Sequence, residues 1–238
     1  VTVLQHLPDV GLSDVGPALD GSEPFLGELP PDYAATLRVA NGFTVHRGMN
    51  RVFGVRPDRH MDVRSWNDEQ AWRFAWNGRA DSFLMVGGTA FGDQYALRRR
   101  ADGSYDDVVY LLDANLLGAR PVFDSFEQFL EREIVHNALT PTHPVALACV
   151  AKFGEVPPTR NVVLTPSMLL GGPEDVATMV TIDSYTAMIY GGDIYAAVMS
   201  VPDEAPVVGV EPWSDDEGRQ RLRVRFGEGD PGWGAAPL

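Results

Sequence analysis

The chain contains one cysteine, Cys149, so no disulfide can form within it. That residue lies in the apolar run Ala146-Leu147-Ala148-Cys149-Val150-Ala151, which reads it as a small buried hydrophobe and not a nucleophile. Lysine is equally scarce. Lys152 stands alone, and arginine supplies the other 18 of the 19 basic residues, so lysine-dependent chemistry has one candidate. No apolar run approaches the roughly 20 residues of a membrane-spanning helix. The start, Val1-Thr2-Val3-Leu4-Gln5-His6, lacks the basic region and apolar stretch of a secretory signal. A cytoplasmic protein without a membrane partner is the expectation.

Catalytic signatures are also missing. There is no G-x-S-x-G elbow. The histidines are His6, His46, His60, His136 and His143, and no two stand four apart as in a zinc-binding helix. Gly87 to Gly92 has the spacing that opens a phosphate loop, but Asp93-Gln94 replaces the lysine and hydroxyl that would hold phosphate and metal. Gly227-Glu228-Gly229-Asp230-Pro231-Gly232 fits a dinucleotide pattern by letter alone. Pro231 interrupts it, and its acidic side chains would repel phosphate. No catalytic residue, metal ligand or cofactor is expected.

What the chain has is apolar content and negative charge. Its 238 residues are 45% hydrophobic, enough for a substantial core. Lysine and arginine total 19 against 33 acids, a net charge of −14. Residues 1–139 and 140–238 each carry −7, so the acidity is spread along the chain. Such a surface disfavours nucleic acid and anionic membrane, and favours a basic protein partner. It also serves solubility alone.

The residue pattern predicts the elements. Residues 1–28, rich in Gly, Pro and Asp, read as an N-terminal arm. Pro31 opens a helix that Asn41-Gly42 closes. Strands follow at 43–46 and 51–55, with Gly48 in the turn. Asp68 to Trp76 reads as a helix with Trp72 and Trp76 one turn apart. Strands are expected at 82–86, 94–99 and 108–112, the last two joined by the Ala101-Asp102-Gly103-Ser104 hairpin turn. Ser125 or Asp124 caps a helix containing Phe126, Phe129, Leu130 and Ile134. The prolines of Thr140-Pro141-Thr142-His143-Pro144 mark an internal boundary. Beyond it, 145–150 and 162–166 read as strands. Pro173 opens a helix stopped by Gly191-Gly192, a second short helix covers 193–199, and strands are expected near 207–210 and 221–226. Residues 227–238 read as a loose tail.

Three stretches carry a likeness. Leu29-Pro30-Pro31-Asp32-Tyr33 to Asn41-Gly42, Phe91-Gly92-Asp93-Gln94-Tyr95, and Asp124-Ser125-Phe126-Glu127-Gln128-Phe129-Leu130, in that order, resemble the SUKH superfamily over about residues 25–136. Thr165-Pro166 with Leu170-Gly171-Gly172-Pro173-Glu174-Asp175-Val176 resembles the C-terminal region of certain type VI secretion immunity proteins, over about residues 152–200. The β-branched body after Gly171-Gly172 departs from the helix expected there. The resemblance implies an α+β fold, with a mainly antiparallel twisted sheet flanked by helices in residues 29–139 and a smaller α+β region at 140–226. It implies a non-catalytic module that binds another protein. Bacterial members of the superfamily are commonly immunity proteins that neutralise toxins, often nucleases.

The expected partner is therefore a basic protein, a cognate toxin, met by acidic and aromatic groups. Charge density nominates Asp102, Asp106 and Asp107 at the hairpin, and Asp215, Asp216 and Glu217 in a late loop. Trp72 and Trp76 belong to the densest aromatic cluster; their spacing fits a core face, and tryptophan is also a leading interface hot spot. The alternatives are a structural or scaffold protein of a phage or secretion assembly, and an enzyme with unrecognised chemistry.

Overall fold

Short strands of β-branched and aromatic residues, separated by Gly- and Asp-containing turns, build an antiparallel meander. In the computed structural model, which describes residues 3–19, 22–137, 143–202 and 205–227, these are β1 (Phe43–Val45), β2 (Asn50–Val52), β3 (Phe83–Thr89), β4 (Gln94–Arg99), β5 (Tyr105–Leu112) and β6 (Ala119–Phe123). They form one six-stranded sheet in chain order. Two antiparallel pairs complete the β structure: β7 (Arg160–Leu164) with β8 (Met179–Asp183), and β9 (Val207–Ser214) with β10 (Gln220–Phe226). The expected mixed α and β class, with a mainly antiparallel sheet and a smaller α+β C-terminal region, is the class observed.

Helix α1 (Pro31–Val39) begins at the proline expected to open it. It buries Tyr33, Ala34 and Leu37 against the sheet, and the Tyr33 hydroxyl donates to the Phe53 carbonyl at 2.7 Å. Helix α3 (Phe126–Phe129) continues as a π-helix over Leu130–His136. Ser125 caps it by accepting from the Gln128 amide at 3.1 Å, and the Gln128 side chain returns to the Asp124 amide at 3.0 Å. The N-terminal arm lies on this core, burying Val3, Leu7, Val10 and Leu26.

Four expectations are corrected. The helix expected over 68–76 is instead α2 (Val63–Trp66) followed by a 3-10 turn at Arg73–Trp76. Asp62 caps α2, and Asn67 stops it by exchanging two hydrogen bonds with the Met85 backbone. Residues 145–150 are helical within α4 (Pro144–Phe153): Pro144 starts the helix, His143 caps it, and Ala146, Cys149, Val150 and Phe153 recur at helical spacing. The helix expected after Pro173 is displaced by β8, where Val180-Thr181-Ile182 prefers a strand. Helix α5 (Ser184–Met199) starts only at the Asp183 cap and runs through Gly191-Gly192. Those glycines admit a neighbour and do not stop the helix: a Cβ on Gly191 would lie 2.9 Å from the Trp76 ring, and one on Gly192 2.5 Å from the Ala75 carbonyl oxygen. Strand β6 was not expected at all. The expected boundary falls largely, and the tail almost wholly, outside the described residues.

The two halves share backbone hydrogen bonds. The Val162 amide donates to the Ala90 carbonyl at 2.7 Å, and Val156 to Arg47 at 2.9 Å. Trp76 donates its indole N–H to the Met188 carbonyl on α5 at 2.8 Å. Between them, Arg51 on β2 is 3% exposed. Its guanidinium donates to the Pro158 carbonyl at 3.2 Å, the Asn161 Oδ1 at 2.9 Å, and the Arg160 carbonyl. Burial pushes its pKa down to about 10. Arg51→Met leaves the buried Asn161 Oδ1 unpaired and removes the bonds to the Pro158 and Arg160 carbonyls, and is expected to cost about 3 kcal/mol. Urea unfolding followed by tryptophan fluorescence measures it; a loss below about 1 kcal/mol contradicts the assignment.

Candidate functional site

Where the meander meets β7, β8 and α5, the packing leaves an open cavity of about 640 Å³. Its apolar lining includes Phe91, Val162, Leu164, Met168, Met179 and Ile194. The size and apolar character are those of a binding site. Met168, Val180 and Val210 at its edge are 44%, 43% and 44% exposed.

Both resemblance-bearing segments outside α1 and α3 reach this cavity. Phe91, Gly92 and Asp93 form the turn between β3 and β4 and line one side. Gln94 locks that turn: its Nε2 donates to the Gly92 carbonyl at 2.8 Å, and its Oε1 accepts from the buried Trp66 indole at 2.8 Å. Thr165, Pro166, Leu170 and Glu174 line another side. There the chain doubles back so closely that a Cβ on Gly172 would stand 1.9 Å from the Pro166 carbonyl oxygen.

Asp93 and Asn161 stand within this lining, which also carries Asn115, His143, Ser167 and Tyr190. Asp93 accepts from the Thr89 hydroxyl at 2.9 Å and the Ala114 amide at 2.9 Å. Burial raises its pKa above the ordinary carboxylate value, against the opposing pull of those two hydrogen bonds. Asn161 is 1% exposed, and Arg51 fixes its amide orientation through Oδ1. Among the described residues, no group of three or more His, Cys, Asp or Glu is placed to hold a metal ion. Cys149 is buried, with Sγ 3.3 Å from Met179 Sδ, and burial raises its thiol pKa.

The residues nominated from charge density stand elsewhere. Asp102 is exposed and turned back on its own hairpin, where the Ser104 hydroxyl and amide hold it below the ordinary carboxylate range. Asp106 pairs with Arg100 at 2.7 Å. Burial would raise Asp215, but hydrogen bonds from Arg219 outweigh it and leave its pKa lowered. Glu217 pairs with the same arginine at 3.1 Å. Asp107 and Asp216 are exposed and make no ion pair among the described residues. Trp72 is corrected from a contact to a core residue: it is 0% exposed and its indole donates to the Trp66 carbonyl at 2.8 Å. Trp76 is also 0% exposed, and it meets the cavity only as part of its wall.

No protein-family model matches the chain, and no curated protein matches it. Among solved structures, the crystal structure of Atu4351 from Agrobacterium tumefaciens is similar, with a TM-score of 0.53 and 11% identity over 90% of this chain and 93% of that one. At that identity the likeness is one of fold. No helix among the described residues is long and apolar enough to cross a membrane.

Asp93 yields a pH prediction. Its folded-state pKa lies above the ordinary value, so the folded chain holds the proton more tightly than the unfolded chain. Its ionisation therefore opposes folding, increasingly as pH rises from the ordinary value through the raised one. Asp93→Asn keeps an oxygen for Ala114 and a polar partner for Thr89. Its melting temperature relative to the unaltered chain is expected to improve from acid pH toward neutrality. A pH-independent difference, or a deficit that grows toward neutrality, contradicts this.

Proposed function

We propose that the chain is a non-catalytic binding module of the immunity type, acting in the cytoplasm, which occludes a basic protein toxin. The observation that carries this reading is the open apolar cavity on a chain of net charge −14, formed where the Phe91-Gly92-Asp93 and Thr165-Pro166 segments meet. A recess with this lining favours recognition of apolar groups. The long-range negative potential favours a basic partner and speeds its approach. The SUKH-like order of motifs and the immunity-like Thr165–Val176 segment support the same biology. Asp93 and Asn161 Oδ1 in the cavity wall hold their own turn and the incoming chain, through Thr89, Ala114 and Arg51.

The test is capture by the tagged full chain from lysate of the organism that encodes it, at low and moderate salt. One basic protein retained at near-equal stoichiometry and weakened by salt is the expected result. Recovery of many copies of this chain with assembly proteins contradicts it and moves the reading to a scaffold. With the captured protein in hand, Asp107→Lys combined with Asp216→Lys is expected to slow association several-fold at low salt and to flatten its salt dependence. Asp106→Lys is a poorer probe, because it also frees Arg100. Unchanged association kinetics remove both acids from the approach surface.

A further inference from the structure

The cavity has a specific polar feature that the fold does not use. Arg51 engages Oδ1 of Asn161 and so leaves Nδ2 as the outward end of the amide. Asn161 is 1% exposed and lines the cavity, yet Nδ2 has no hydrogen-bond partner among the described residues. A methyl group built on Gly92 would touch Nδ2 and Met188 Sδ, each at 3.6 Å, which places this donor by the Gly92-Asp93 turn. Nδ2 keeps contact with the cavity space, where an occupant can supply its acceptor. The ionisable residues of the lining are Asp93, Glu174, His143 and Tyr190, and no arginine or lysine is among them. An anionic occupant is disfavoured, and a cationic one finds its counter-charge there.

We propose that the cavity receives an extended segment of the protein partner that inserts apolar side chains between Met168, Val180 and Val210, sets a backbone carbonyl on Asn161 Nδ2, and points a lysine or arginine at Asp93. This rests on the protein-binding reading above and names the chemistry of that partner. The volume, about 640 Å³, accommodates a few side chains and not a whole helix with its flanks. Asp93 already accepts two hydrogen bonds, and a carboxylate has about four acceptor sites, so capacity for a cation remains.

The experiment is selection of phage-displayed random 12-residue peptides on the full chain, followed by affinity measurement of the enriched peptides. Val180→Arg and Met168→Arg place a cation at exposed edge positions and should leave the fold intact, which circular dichroism checks. Asn161→Asp keeps the acceptor for Arg51 and removes the free donor. The expected result is enrichment of peptides with large apolar residues beside Arg or Lys, weakened at least ten-fold by each of the three variants. Peptides with acidic flanks, or peptides indifferent to Val180→Arg, overturn the proposal. So does failure to enrich any peptide. Saturable binding of dodecyltrimethylammonium with no peptide enriched assigns the cavity to a small cationic amphiphile. A concentration-dependent dimer abolished by Val180→Arg assigns it to a second copy of the chain. If the peptides fail while a captured partner remains sensitive to Asp107 and Asp216, the cavity assignment falls and the protein-binding reading stands; if both fail, both readings fall.

Discussion

One buried cation organises the contact between the halves of this molecule. Arg51 sits on the shortest part of the meander, yet it faces the incoming chain at 158–161 and holds it by two backbone carbonyls and the Asn161 amide. No carboxylate takes part in those bonds. The cost of removing the guanidinium from water is offset by neutral oxygens that would otherwise lack partners themselves. That arrangement fixes where β7 begins. Val162 then reaches the Ala90 carbonyl, β8 pairs with β7, and α5 is delivered onto Trp76.

The cavity follows from this delivery. Its walls come from segments distant in the chain, and a shift of β7 against β3 would close or split it. The Gly92-Asp93 turn is held from beneath by Gln94 and Trp66, so that side is rigid. The far side depends on Arg221, which binds Asp193 on α5 while the Leu222 amide donates to the same carboxylate at 2.8 Å. Two of the acids that look available for a partner in the sequence, Asp215 and Glu217, are engaged in shaping the loop before β10. Asp215 is the clearest case, paired with both Arg219 and Arg221.

Local signals made much of the first half legible. Pro31 at the start of α1, Ser125 with Gln128, and Asp102-Gly103 in the hairpin each act within a few residues, and each behaves as its chemistry requires. The second half was harder because its decisive contacts are tertiary. Gly191-Gly192 reads locally as a stop, and only the nearness of Trp76 and Ala75 explains a helix that runs through it. Val145 to Val150 is apolar enough for either a strand or a helix, and the His143 cap with Pro144 decides the matter. The acidic clusters were visible as composition, but composition does not say which carboxylates already have an arginine. Asn161 carried no sequence signal at all, since its importance comes from Arg51, 110 positions earlier.

The hydrogen bonds shared across Arg51, Val162 and Trp76 make the two halves one cooperative body, with the cavity as a consequence. Native-state hydrogen exchange measures this most directly, through the amides of β3 and β7. Val162 and Val163 are expected to exchange through the same opening as Met85 and Val86, with matched free energies and matched sensitivity to urea. Exchange of β7, β8 and α5 through a separate, lower-energy opening, while β3 and β4 stay protected, would contradict it.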